Sequence, residues 1–283
     1  DGARGYFTSE KPRLAAGDYH SLAELAVDDG ASQPKSIVEI GWTVDRALNG
    51  DSEPHLFVYH WVDGQETCYN GCGFVPFNEP GYSVGMKLPV SSTPRQFSIL
   101  HRGSEWLMGY NGHWVGAFPD ALWGDRFKVS TEAKFFGEVA SSTPNPCTDM
   151  GNGQPASSAT AARVQDIGFW PGSVNPDIKI TQATPNMYTV LWTSHGSFRY
   201  GGVGDCRTVP NLVGGLAKDA PKRITDAGLV VGGSSTVQDP ECERLLRVIS
   251  QSPAAGTTRV AGGSKVTYRY GVEPRNGCPD NRQ

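Results

Sequence analysis

Charge is scarce in this chain. Its 283 residues carry 25 Lys and Arg against 29 Asp and Glu, a formal net charge of −4, with no Lys- or Arg-rich run. A nucleic-acid backbone needs a basic patch, so nucleic acid is not an expected partner. Long apolar runs are also missing: none approaches the roughly 18 residues of a membrane span, and no membrane partner is expected. HExxH, GxSxG and GxxxxGK(S/T) do not occur, which removes the zincin, α/β-hydrolase and P-loop templates. His20, His55, His60, His101, His113 and His195 follow no ligand spacing, and neither a calcium loop nor a CxxC pair is present. No metal and no cofactor are expected.

Glycine, proline and cysteine are plentiful instead. The 35 glycines and 20 prolines interrupt the chain so densely that few windows hold a helical period. Short alternating runs fall at 36–44, 55–61, 95–101, 105–110, 114–118, 134–140, 177–180 and 188–193. Turn pairs such as Asn49-Gly50, Asp63-Gly64, Asn111-Gly112 and Pro171-Gly172 separate them. This pattern predicts a mainly β fold, an antiparallel sandwich or barrel.

A boundary is expected near Gly201-Gly202-Val203-Gly204, dividing a domain at 1–205 from a second domain and tail at 206–283. Beyond it Ala220, Ile224 and Ala227 share a helix face, with Pro221 tolerated in the first turn and Gly228 as the stop. Strands at 246–251 and 264–270 and a polar tail from 272 complete a small α+β arrangement. Six cysteines point to an oxidising compartment and hence to secretion. Cys68 and Cys72 are close enough to clip a tight loop, while Cys147, Cys206, Cys242 and Cys278 allow three pairings. The chain opens at Asp1 without a signal peptide, as a processed or trimmed product does.

Two glutamates lie inside strand-like runs, Ile37-Val38-Glu39-Ile40-Gly41-Trp42 and Phe135-Phe136-Gly137-Glu138-Val139. Alternation puts Val38, Ile40, Trp42 and Val44 on one face and Glu39 on the other; Glu138 likewise lies opposite Phe135 and Val139. Gly41 and Gly137 beside them remove bulk and could admit a substrate backbone. In the run from Leu56 to Trp61, the face Phe57, Tyr59 and Trp61 reads either as core or as an aromatic wall for a peptide or sugar. Two carboxyls sharing a site do not both ionise cheaply, which leaves an acid beside a base, able to activate water and protonate a leaving group. Separately exposed or salt-bridged glutamates fit the same spacing.

At these residues the chain resembles the neprosin family of glutamic peptidases, over about 2–204. The carrying motifs, in order, are Ile37-Val38-Glu39-Ile40-Gly41-Trp42, Leu48-Asn49-Gly50-Asp51, Thr67-Cys68-Tyr69-Asn70 with Cys72-Gly73-Phe74, Val115-Gly116-Ala117-Phe118-Pro119, Phe136-Gly137-Glu138-Val139, Met150-Gly151-Asn152-Gly153 and Tyr200-Gly201-Gly202. The resemblance implies a sandwich of two antiparallel sheets, with Glu39 and Glu138 as a catalytic pair in a cleft on one concave face. It also implies a secreted endopeptidase, active at acidic pH, that cleaves after proline, and a Cys68–Cys72 disulfide. Phe135-Phe136 stands where a Trp-Gly step is common, Asp149 where glutamine is usual, and Met187 where cysteine often occurs. Residues 208–271 resemble a PASTA module through Val209-Pro210-Asn211, Ala227-Gly228-Leu229, Gln251-Ser252-Pro253-Ala254-Ala255-Gly256-Thr257 and Gly263-Ser264. Such modules are frequent in bacterial cell-wall proteins, as peptidoglycan binders or spacers, so a secreted or wall-associated bacterial enzyme is expected.

The leading expectation is therefore hydrolysis of proline-containing peptides or proteins by Glu39 and Glu138, with Gly137, Tyr59, Trp61 and Trp192 lining the substrate. Two rivals share the same features: a carboxylate-pair glycoside hydrolase, and a non-catalytic, lectin-like cell-wall-binding protein.

Overall fold

Strands far outweigh helices in the computed structural model, which describes residues 1–30, 35–172, 177–181, 184 and 186–279. They begin with β1 (Gly2–Ser9), β2 (His20–Asp28) and β3 (Ile37–Asp45), followed by a single helical turn, α1 (Arg46–Asn49). Next come β4 (His55–Val62), β5 (Gln65–Glu66), β6 (Val75–Pro76), β7 (Ser91–Arg102), β8 (Glu105–Tyr110) and β9 (His113–Pro119). The set closes with β10 (Glu132–Ala140), β11 (Ala162–Trp170), β12 (Thr189–Ser194) and β13 (Ser197–Gly201). The Asn111-Gly112 pair turns β8 into β9 with both residues at positive φ, 52° and 84°, the geometry that favours those two residue types.

These strands form an eight-stranded sheet, β12-β13-β11-β1-β7-β8-β9-β6, and a five-stranded sheet, β10-β2-β3-β4-β5. Every pairing in both is antiparallel. The core lies between the sheets. Ala23, Leu25 and Val27 of β2, Val38, Ile40, Trp42 and Val44 of β3, and Leu56 and Val58 of β4 meet Phe7, Phe97, Ile99 and Met108 of the larger sheet. Trp42 is fully buried, and its indole N–H donates to the Thr8 carbonyl at 2.9 Å, so the apolar face of β3 is also tied to β1. This is the antiparallel sandwich that alternation and the family resemblance imply.

The structure departs from the predicted pattern in two ways. Residues 177–181 carry no ladder; they are largely exposed, and alternation without a partner strand does not hold an extended segment in a sheet. Conversely, β1, β2, β11 and β13 were not among the predicted runs. In β2, Leu22-Ala23-Glu24-Leu25-Ala26-Val27 puts small apolar residues on both faces and lacks a clean period of two.

The chain divides into two units, Asp1–Ser142 with Thr148–Gly204, and Thr143–Cys147 with Asp205–Gln283. The second contains β14 (Cys206–Arg207), α2 (Ala220–Asp226), β15 (Val230–Gln238), β16 (Val248–Ser252), β17 (Val260–Ala261) and β18 (Lys265–Val272). Here β15 pairs parallel and β16 antiparallel to β18, and Ile224 of α2 packs with Val209, Leu229, Val248 and Val266. Pro221 lies in the first turn of α2, and Gly228 follows its end at φ 71°. Of the three pairings open to the last four cysteines, the structure adopts Cys147–Cys206 and Cys242–Cys278. The last four positions of the predicted tail lie outside the described residues. No described helix is long and apolar enough to cross a membrane.

Candidate active site

The face of the five-stranded sheet turned away from the core collects the chemistry. Register fixes which side chains meet there, because residues directly opposite across a ladder point the same way. Glu39 is opposite Tyr59 on β4 and Ala26 on β2; Gly41 is opposite Phe57 and Glu24; Glu138 is opposite Leu22. Glu39 and Glu138 therefore share one face, two strands and four residues apart. An ideal ladder puts their Cα atoms about 16 Å apart. Two glutamate side chains leaning inward leave space for a water molecule and a peptide group between them.

Glu39 is part-buried, and its Oε1 accepts a 3.0 Å hydrogen bond from the Trp61 indole. Trp61 is itself fixed, since its carbonyl accepts from the Trp123 indole at 2.8 Å. Burial is the main influence on the Glu39 carboxyl. Trp61 and Lys134 oppose it, Glu138 adds to it, and the result is a carboxyl pushed up to about 7. Glu138 is half exposed and holds His20 Nε2 at 3.0 Å. Lys134, opposite Ala26, is paired with the buried Asp28.

Aromatic side chains form one wall. Tyr59 meets Trp61 edge-on at 5.9 Å and Tyr69 at 4.9 Å, and Tyr69 packs on Phe57 at 5.5 Å. Tyr69 belongs to the loop closed by the Cys68–Cys72 disulfide. Asn70 pins that loop to β4, its backbone N–H donating to the Val58 carbonyl and its side-chain oxygen accepting from the Val58 N–H, both at 3.0 Å. The Tyr59 hydroxyl accepts from the Thr67 N–H at 3.0 Å. The Tyr69 phenol is pushed up by burial first and then by the negative charges of Glu24, Glu138, Glu39 and Asp45.

Two of the expected substrate residues lie elsewhere. Gly137 faces the core: a Cβ there would stand 2.7 Å from the Tyr200 ring and 3.1 Å from Met150. Its missing side chain makes room for the core, because strand parity puts position 137 opposite Ala23 rather than beside Glu138. Trp192 sits on β12, an edge strand of the eight-stranded sheet, edge-on to Phe198 at 5.9 Å. Alternation reports the face of a strand but not the sheet it joins. Gly41 does lie on the acid-bearing face, yet a Cβ there would meet the Ala23 carbonyl at 2.2 Å and Glu24 Cβ at 2.7 Å, so the space it leaves is filled by β2.

Sequence reasoning missed Glu24, His20, Tyr69 and Lys134. Glu24 is 4 % exposed and stands on β2 midway between the positions opposite Glu39 and Glu138. The available signal was its charge, since no other residue between His20 and Asp28 is charged. Both residues that depart from the usual family pattern near the acids are structural. Phe135 stacks on Phe7 at 6.2 Å in the core, and Asp149 accepts from the Arg13 N–H at 3.1 Å.

A β-sandwich with carboxyls and an aromatic wall on one sheet face, joined to a small α+β unit, defines the class of the molecule. The chain belongs to the neprosin family: the Neprosin family model matches residues 17–203, and the PASTA domain model matches 207–267. The first implies a peptidase-like function. The second implies association with a cell wall, and the three disulfides agree with an extracellular setting.

The raised Glu39 carboxyl has a consequence for stability. Below the unfolded value of 4.5 the group is protonated in both states and its ionisation adds no cost. Between 4.5 and about 7 the unfolded chain releases a proton that the folded chain keeps, so stability falls as pH rises through that window. Gln at position 39 keeps an oxygen for Trp61 and does not ionise. Glu39→Gln is expected to raise Tm at pH 8 and to leave it near the parent value at pH 4, as thermal denaturation at the two pH values will show.

Proposed function

We propose that this protein is a secreted glutamic endopeptidase in which Glu39 and Glu138 activate water against a peptide bond, after proline, at acidic pH. The observation that carries the reading is the asymmetry of the two carboxyls, Glu39 part-buried and raised to about 7, Glu138 half exposed beside His20. Glu138 takes a proton from the attacking water as its oxygen bonds to the scissile carbonyl carbon. Glu39 enters protonated, hydrogen-bonds the carbonyl oxygen as negative charge develops, and gives its proton to the leaving nitrogen as the C–N bond breaks. The released acid and amine depart, and the proton gained by Glu138 returns to Glu39 through solvent. Tyr59 and Trp61 offer an apolar wall to a proline ring.

In the PASTA unit a pocket of about 440 Å³ is lined by Leu216, Lys218, Ser234, Leu246, Tyr268 and Tyr270. Aromatic faces beside an ammonium group suit peptidoglycan or a peptide-like ligand, which supports a wall-bound protease of bacterial type. A proline-rich protein and a panel of polysaccharides incubated with the protein at pH 5 test the reaction class. Peptide products with intact polysaccharides are expected; sugar release without peptide products would replace this reading with a glycosidase.

A further inference from the structure

A buried acid lying between Glu39 and Glu138 has no task in the mechanism above. Glu24 is 96 % buried, on the sheet face that carries Glu39 and Glu138. It is the diagonal neighbour of both, one strand over and two residues along in each direction. Diagonal neighbours on a ladder lie about 7–8 Å apart, within reach of long side chains. Gly41, directly opposite, admits its Cα and Cβ at a distance no other residue would allow. Among the described residues no side chain or backbone N–H bonds to its carboxyl. Asp28, at the end of the same strand, bonds Lys35, Lys134 and the Gly30 N–H. A side chain 4 % exposed whose carboxyl bonds no protein group is costly to keep, and its place between Glu39 and Glu138 points to a ligand as the missing partner.

We propose that Glu24 is a third carboxyl of the catalytic centre, a neutral acid whose O–H donates a hydrogen bond to the substrate carbonyl held between Glu39 and Glu138. This rests on the peptidase reading and names a further residue for it. The surrounding charges favour the neutral form. Glu39 and Asp45 face this region from β3, Glu138, Glu132 and Lys134 from β10, His55 and Tyr59 from β4, Tyr69 from the disulfide loop, and His20 and Asp28 from β2 itself. The basic side chains are committed elsewhere: Lys134 to Asp28 and Glu132, His55 to Asp51, His20 to Glu138. Burial, then Glu39, then Glu138, hold the Glu24 carboxyl well above the ordinary range. A carboxylic acid kept neutral donates like an amide or a phenol and does not compete with Glu138 for the water's proton.

The test compares Glu24→Gln and Glu24→Leu with the parent across pH 3 to 9 on a proline-containing fluorogenic peptide, with Glu39→Gln and Glu138→Gln alongside. Gln supplies an N–H donor that never ionises; Leu supplies none. Glu24→Leu is expected to lose about 10²-fold in kcat/KM, the size of a lost oxyanion donor, while Glu24→Gln stays within about tenfold at pH 4. At the alkaline end the parent's activity is expected to fall more steeply with pH than that of Glu24→Gln, because the parent can lose the Glu24 proton as well as that of Glu39 and the variant only the latter. Equal losses in the Gln and Leu variants, or an unchanged slope, would overturn the donor role. Full activity in Glu39→Gln or Glu138→Gln would instead overturn the peptidase pair on which it rests.

Discussion

Glu39→Gln and Glu138→Gln are each expected to lower kcat for cleavage of a proline-containing peptide on the order of 10³-fold, with the fold intact. The magnitude follows from what each group does. Gln at 138 cannot take a proton from water, and Gln at 39 has no proton of the right acidity for the leaving nitrogen. Neither change removes volume or a core contact, since both side chains leave the sheet on the face away from the core. The amide at 39 still accepts from Trp61, so KM should change far less than kcat. Two groups acting as a unit are non-additive, and the double variant should be little slower than either single one. Stopped assays with purified variants, with circular dichroism as the control on folding, will read both parameters. Activity within tenfold of the parent in either variant contradicts the pair.

Gly41→Ala and Gly137→Ala carry the largest expected effects on stability. At position 41 the added carbon meets a backbone oxygen of the neighbouring strand, and backbone in the middle of a ladder does not move aside. At 137 it meets the ring of Tyr200, which is 2 % exposed and has nowhere to turn. Overpacking of this kind costs about 1–3 kcal/mol or more, and exceeds the roughly 0.4–1 kcal/mol that Gly→Ala contributes by restricting the unfolded chain. A loss of about 3 kcal/mol is expected for Gly41→Ala and a somewhat smaller one for Gly137→Ala, measured as urea midpoints. Glycines that merely admitted substrate would instead leave the midpoints unchanged and raise KM.

The glycine pair shows where a sequence stops being informative. Alternation placed Glu39 and Glu138 on the outward faces of their strands, because each strand has one strongly apolar side. It also put Gly137 on the side of Phe135 and Val139, and that parity was outweighed by the glycine's adjacency to an acid. Glu24 was hidden for the opposite reason. Leu22 and Ala26 beside it are as apolar as Ala23 and Leu25, so β2 has no polar face in sequence, and the burial of its outer side is a tertiary fact. Trp61 was legible as part of a wall. Its hydrogen bond to Glu39 was not, since it depends on an indole held in place by Trp123, 62 residues away. Turn pairs were the most local signals, and Asn111-Gly112 formed the hairpin that its φ angles require.

The central claim is that carboxyls on the outer face of the five-stranded sheet make this chain an acid-acting peptidase. Digestion of a mixed peptide pool in steps from pH 3 to 9, with new C-termini read by mass spectrometry, tests it most directly. The account predicts termini concentrated at proline, with yields that fall as pH passes through about 7, where Glu39 gives up its proton. No new termini at any pH, or yields that rise above neutrality, would contradict it.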